Sequence, residues 1–390
     1  MQPVRRNIKE QHPDLIREEA YRTLLVDGGS LLFMSFADKT MNSDNVHIGG
    51  VYQFLLQLRI ILTKGTFRHV YVFFDNEYSG YLRWELYKDY KSNRDKHYEQ
   101  YGASDYWKQF NENVKKMQSA IFSKKEKKAP HNEFEKFVDE NFDRERDILC
   151  RYFEELYIRW YIDDIVEGDD LISYYCQNKE KNEKIIIISG DMDLMQLISE
   201  DIAIYELHKK TFITKANFSS IYGFDSENVL TKKIFCGDKS DNIGNIKGLS
   251  EDGFFKLMPE AKKKPVTIED VKRKASLLNE ERKKEKKAPL KLYENILNGV
   301  SNKKYDGDFY EINKKIIDLK RPLMSKGATE EMESMMHVPI DPDGRSMKNL
   351  YEYILSDKIE PLMGNTAFAA FFSPFKALEE REKDFFSRKK

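Results

Sequence analysis

The sequence predicts an α/β protein built on a mostly parallel central sheet flanked by helices, and three observations carry that prediction. Apolar runs at residues 23–26, 69–74 and 184–189 have the length and the β-branched or aromatic content of buried strands. Between the first two, Val51, Phe54, Leu55, Leu58, Ile61 and Leu62 recur at helical spacing, giving the strand–helix–strand order of a parallel crossover. Each run ends at or close to an aspartate, Asp27, Asp75 or Asp191. In an open parallel sheet the carboxyl ends of neighbouring strands face one crevice, so these side chains can meet there.

In chain order, residues 1–20 carry mixed charge and a His12-Pro13 break and read as an arm. Residues 80–145 form a polar stretch rich in tyrosine and lysine, with six lysines against one glutamate between Lys115 and Lys128, which is not core material. Helical periodicity returns at Leu149, Tyr152, Phe153, Leu156 and Tyr157 and leads through 161–166 to Glu167-Gly168-Asp169-Asp170, with a further helix after it. Residues 202–207 and 211–214 flank His208-Lys209-Lys210 and suggest a hairpin. The α/β region is therefore placed at 21–217. Beyond Phe218 short helices and glycine turns take over, a helical region expected to run over 218–390. Within it, residues 261–291 hold 12 basic and 5 acidic side chains and read as an exposed helical insertion or a mobile loop.

Composition sets outer bounds. The chain has 390 residues, 40% of them apolar, enough for two or three domains with ordinary cores. Its 65 basic and 66 acidic side chains nearly cancel, so whole-chain charge selects no partner. Cys150, Cys176 and Cys236 stand far apart and odd in number, which argues against disulfides and zinc ligation. No apolar stretch is long enough to span a bilayer, and residues 1–20 are not signal-like. A monomer in a reducing, cytoplasmic compartment is expected, without membrane insertion.

The carboxylates point to chemistry. A lone aspartate at a strand end more often caps the next helix or holds a turn. Three together are harder to explain that way, and the close pairs Glu167 with Asp169 and Asp191 with Asp193 harder still, because like charges repel unless cations bind. Oxygen-only ligands suit hard divalent ions, magnesium with manganese as a substitute, completed by substrate phosphate. Two such ions about 4 Å apart suffice for phosphodiester hydrolysis without a serine, cysteine or histidine nucleophile. A further pair, Asp238 and Asp241, lies at a turn where Asp241 could equally be an N-cap.

Five ordered motifs then carry a resemblance: LLVDGG at Asp27, FDNEYSGYLRWELYKDYKSNR at Asp75, VEGDD, ISGDMD and GDKSDN. In this order they resemble the flap endonucleases and 5′-3′ exonucleases, and 74–94 looks most like the ribonuclease H of T-even bacteriophages. The resemblance covers residues 21–257 well and the last hundred faintly. It implies a PIN-like 5′-nuclease core, a helical arch over 95–145 and a helix-three-turn-helix element at 233–257. It assigns Asp27, Asp75, Glu167 and Asp169 to a first metal cluster and Asp191, Asp193, Asp238 and Asp241 to a second, and adds Asp170, at a frequently acidic position, to the metal-binding acids. Lys91, assisted by Arg94 and more weakly Lys88, would approach the scissile phosphate. Tyr98, Tyr101, Tyr106 and Trp107 of the arch could stack bases of a threaded strand. At the duplex-gripping turn, two of the three glycines of the pattern become Asn245 and Ser250 and one is kept as Gly248, so the backbone-amide grip on DNA is expected to differ, with the basic 261–291 segment as compensation.

The implied activity is metal-dependent removal of RNA primers or 5′ flaps during phage DNA replication, acting on branched or 5′-ended DNA and RNA·DNA hybrids. A single-strand-binding protein or sliding clamp would be a natural partner. Two alternatives stand beside it. A PIN-type ribonuclease shares the acidic crevice but normally lacks the arch and the GDxSDN element; a catalytically silent DNA-binding replication protein would have lost acids that this sequence keeps.

Overall fold

The computed structural model describes residues 23–92 and 133–389. The arm at 1–20, Arg94, Tyr98, Tyr101, Tyr106, Trp107 and most of the expected arch lie outside these described residues.

Six strands form one sheet in the order β3-β2-β1-β4-β5-β6: β1 Thr23–Asp27, β2 His69–Phe74, β3 Arg159–Ile162, β4 Ile185–Ser189, β5 Ile202–Glu206 and β6 Thr211–Ile213. All neighbours are parallel except β5 and β6, which make the expected hairpin. β1 pairs with β2 on one side, Asp27 opposite Phe73, and with β4 on the other, Val26 opposite Ile188. The acid-ending strands β2, β1 and β4 are thus adjacent, and the direction of strand order reverses at β1, the place where open α/β sheets bind ligands.

The isoleucine run of β4 is buried along its whole length because both faces of the sheet are covered. On one face, Leu24 and Val26 pack with the helix Gly49–Lys64, whose Val51, Phe54, Leu55, Leu58, Ile61 and Leu62 are all buried, and with the helix Glu133–Glu155. On the other, Leu25, Tyr71 and Phe73 pack with Leu171, Ile172 and Tyr175 of the helix Gly168–Asn178. A third core joins Ile234, Phe235, Ile243, Phe254, Val271 and Ile296.

The structure departs from the expected layout in three places. β3 is not among the expected strands, since its four residues RWYI are short and open on a charged arginine, although Trp160, Tyr161 and Ile162 favour a strand. Residues 80–92, expected as polar surface, contribute buried Tyr81, Tyr87 and Tyr90, which pack into the second and third cores. Parts of the region 218–390 pack on the sheet: Leu350, Ile354, Phe371, Phe372 and Phe375 join the core on its first face, and Ala328 and Met332 that on its second. Within the basic 261–291 segment, the helix Ile268–Lys284 buries Val271, Ala275 and Asn279, so it is structured rather than a loose loop.

Candidate active site

A cleft of about 320 Å³ opens at the carboxyl ends of β2, β1 and β4. Eight of the predicted acids line it: Asp27, Asp75, Glu167, Asp169, Asp191, Asp193, Asp238 and Asp241. Lys91 lines it as well, and Ile316, Ile317 and Leu319 form an apolar wall.

Local structure aims each acid. Asp27 ends β1 and caps the helix Gly28–Ser35, with Oδ1 accepting from the Ser30 amide at 2.9 Å and Oδ2 from Ser189 Oγ at 2.7 Å. The capping role and the cleft-facing role coexist in one side chain. Gly28 is required beside it, because a Cβ there would lie 2.7 Å from the Phe74 ring. Asp75 Oδ1 accepts from the Gly168 amide at 2.7 Å, which ties the end of β2 to the start of the helix Gly168–Asn178. Glu167 is the N-cap residue of that helix, yet its side chain makes no capping bond and turns into the cleft instead. Asp191 accepts from the Asp193 amide at 2.7 Å, so the turn after β4 sets both carboxylates.

Asp238, rather than Asp241, organises the GDKSDN turn. Its Oδ1 accepts from the Ser240 amide at 2.7 Å and from Ser240 Oγ at 2.5 Å. Gly237 precedes it with φ +67°, where a side chain would also collide with Ile243 O. Asp193, Asp238 and Asp241 each bring one oxygen within 4.8 Å of the others.

Charge is the dominant property of the cleft. Burial, with Asp191 and Asp75 adding to it, pushes Asp27 up to about 7 despite its two hydrogen bonds. Burial also drives Asp169 well above the carboxylate range, reinforced by Asp191, Asp27, Asp75 and Glu167. Asp191 is raised by burial, opposed by Lys233 and Lys91. For Asp238, burial is outweighed by Lys233 and Ser240, which hold it at about 2.

Basic side chains sit among the acids. Lys91, in a left-handed conformation with φ +50°, pairs through Nζ with Glu167, and its amide donates to Asp241 O at 2.9 Å. Burial lowers its pKa, but Glu167 raises it further, so the net shift is well upward. Lys233 bridges Asp193 and Asp238, the latter at 2.6 Å. Tyr90 OH donates to Glu167 Oε2 at 2.9 Å. Sequence reasoning did not find Lys233, Tyr90 or Arg83; the available signals were the position of Tyr90 beside Lys91 and of Lys233 one helical turn before Gly237.

Several expected residues stand elsewhere. Asp170 is the correction to the ligand set: it does not line the cleft, because Arg83 grips both of its oxygens and the Leu323 amide donates to Oδ1 at 2.9 Å. Lys88 is exposed, with Nζ 3.5 Å above the Trp84 ring. Asn245 Nδ2 donates to Leu249 O at 2.7 Å and Ser250 Oγ caps the helix Glu251–Leu257, so both side chains shape the turn in which Gly248 has φ +85°. Among the described residues no helix is long and apolar enough to cross a membrane.

Comparison with known proteins agrees with this geometry. The family model described as 5′-3′ exonuclease, N-terminal resolvase-like domain, matches residues 22–223. DNA polymerase I of Streptococcus pneumoniae is 28% identical over 251 residues, covering 61% of this chain and 24% of that protein. A 5′-3′ exonuclease of Buchnera aphidicola is 24% identical over 227 residues, covering 57% of this chain and 64% of that one. The chain spans about a quarter of the length of the polymerase relatives it matches. Bacteriophage T5 5′-exonuclease with bound zinc superposes with a TM-score of 0.52 at 16% identity, covering 93% of this chain and 100% of that one. The T5 flap endonuclease in a pseudo-enzyme-product complex with DNA and metal ions gives 0.53 at 15% identity, covering 93% and 99%. At such identities the likeness speaks to the fold, a PIN-like 5′-nuclease α/β fold. With the family model matching more than half of its length, the chain belongs to the 5′-3′ exonuclease family.

Proposed function

We propose that this protein is a structure-dependent 5′-3′ exonuclease and flap endonuclease that hydrolyses phosphodiesters with two divalent cations, Mg²⁺ with Mn²⁺ able to substitute. The observation that carries the reading is the convergence of eight carboxylates and Lys91 in one cleft at adjacent strand ends.

The residues present fit divalent cations. The acids offer oxygen donors suited to hard ions. Several are buried together with raised pKa values, a set that can ionise jointly only if positive charge is brought in. Asp27, Asp75, Glu167 and Asp169 would hold one ion and Asp191, Asp193, Asp238 and Asp241 the other. Such a pair supplies an activated water and neutralises charge on the departing 3′ oxygen, leaving 5′ phosphates.

The chain's own groups do the remaining work. Lys91 stays charged and would turn from Glu167 to a non-bridging phosphate oxygen, aided by Arg94. Ile316, Ile317 and Leu319 exclude water from the rear of the cleft, which strengthens every charge interaction inside it. The turn at Asn245, Gly248 and Ser250, with Lys88 and the basic helix Ile268–Lys284, would meet the duplex backbone. Branched or 5′-ended DNA and RNA·DNA hybrid are the proposed substrates, in primer or flap removal during phage replication. A single-strand-binding protein or sliding clamp belongs to the same proposal.

The test is cleavage of a labelled 5′ flap and of an RNA·DNA hybrid with Mg²⁺, with EDTA, and with Asp191→Ala. Metal-dependent release of 5′-phosphorylated products that disappears in the variant is expected; activity surviving both chelator and substitution would overturn the proposal.

A further inference from the structure

We infer that Asp170 serves as the fixed counter-ion of Arg83, and that Arg83, so held, is a positioning residue for the cleft-facing carboxylate of Glu167. The inference rests on the metal-nuclease reading above and assigns to the VEGDD motif a division of labour that its acidity alone does not reveal.

Arg83 is 6% exposed and Asp170 1%, so this is a charge pair out of contact with bulk water. Arg83 uses its whole guanidinium. Nη2 donates to Asp170 Oδ1 at 3.1 Å, Nη1 reaches both Asp170 Oδ2 and Glu167 Oε2, the latter at 2.7 Å, and Nε donates to Ile316 O at 2.8 Å. The Leu323 amide completes Asp170. Glu167 therefore leans against a cation whose own position is fixed from two sides.

The second of those sides is the segment 316–323, far from the strand ends in sequence. Gln196 Nε2 donates to Ile317 O at 3.1 Å, and Ser173 Oγ donates to Leu319 O. The same segment supplies the apolar wall of the cleft. Arg83 joins this wall to Glu167, so one side chain sets both the orientation of a ligand and the seating of the surface behind it.

Charge sharing gives a distinctive expectation. In the native cluster Asp170 engages two guanidinium nitrogens of Arg83 and Glu167 shares one of them. Asp170→Asn leaves Arg83 to grip Glu167 more strongly and to compete with a cation for it. Removing both charges in Arg83→Gln/Asp170→Asn frees Glu167 from the guanidinium, leaves it held by Lys91 and Tyr90, and avoids an uncompensated buried charge, the usual cause of misfolding at such sites.

The experiment is calorimetric titration of the full chain with Mn²⁺ in the absence of nucleic acid, with thermal melting of each variant as a folding control. Asp170→Asn should keep the native Mn²⁺ stoichiometry while weakening the affected site about 10-fold or more. The double variant should recover part of that loss. If the single variant does not fold, the double variant alone decides, and native stoichiometry supports the inference. Loss of one ion in Asp170→Asn that the double variant does not restore would make Asp170 a ligand and overturn it, as would unchanged affinity in the single variant. A wild-type chain that binds no Mn²⁺ and cuts no flap would instead overturn the metal-nuclease reading, an outcome distinct from either.

Discussion

Asp27 shows how one carboxyl serves folding and chemistry at once. Its two oxygens hold the first turn of a helix and the last residue of β4, while burial among other acids pushes its pKa from 3.8 to about 7. The folded protein therefore binds a proton there that the unfolded chain has already released. Stability from this group is fully present below pH 3.8 and is lost as pH rises through about 7. In EDTA the melting temperature should accordingly fall between about pH 4 and pH 7, and Asp27→Asn should flatten that slope in differential scanning calorimetry. Asp238, held at about 2, contributes in the opposite sense but only below about pH 4, outside this window. With saturating Mg²⁺ the slope should reverse, since a cation favours the ionised form. Asp191→Ala should lower kcat by more than the roughly 10- to 100-fold that loss of an outer-shell partner typically costs, measured in single turnover.

At the scale of elements, the strands and the site were legible to different depths. β1, β2 and β4 were readable because a central parallel strand is apolar on both faces, and the acids were readable because they follow those strands directly. Edge strand β3 and the buried tyrosines of 80–92 were not, because their environment comes from segments distant in sequence: Tyr87 stacks on Tyr305 at 4.6 Å between ring centres. Asp170 escaped a correct reading for the same reason, its partner Arg83 being 87 residues away. The helix Glu133–Glu155 is anchored by Glu145, which is fully buried, pairs with His47 and accepts from the Val51 amide at 2.8 Å. Glu145→Ala leaves His47 and that amide without their acceptor and should cost about 3–5 kcal/mol in urea unfolding. The basic helix Ile268–Lys284 calls for a gentler change, because deleting it removes buried Val271 and Ala275. Replacing Lys272, Lys274, Lys283 and Lys284 by Gln should reduce the salt dependence of duplex binding by about 0.9 for each phosphate that is no longer neutralised, and an unchanged slope would exclude the helix from the interface.

For the molecule as a whole, the last third of the chain closes the nuclease core. Glu382 is fully buried between His69 of β2 and Arg159 of β3, with Arg159 Nη2 donating at 3.0 Å, and these two partners outweigh burial to leave its pKa at about 2. Residues 350–378 cover the sheet on the same side as the helix Gly49–Lys64. Truncation after residue 325 should therefore yield an unfolded or aggregated chain by circular dichroism, with no residual Mn²⁺ binding. The acidic cleft adds an order of events. Its eight carboxylates outnumber Lys91, Arg83 and Lys233, and each one that ionises adds to the repulsion that the groove presents to an approaching polyanion. On the proposed function, cations would have to reach the groove first and reverse the sign of its field, which would make the ions gatekeepers of substrate entry as well as reagents, and nucleic-acid affinity itself a titration of metal.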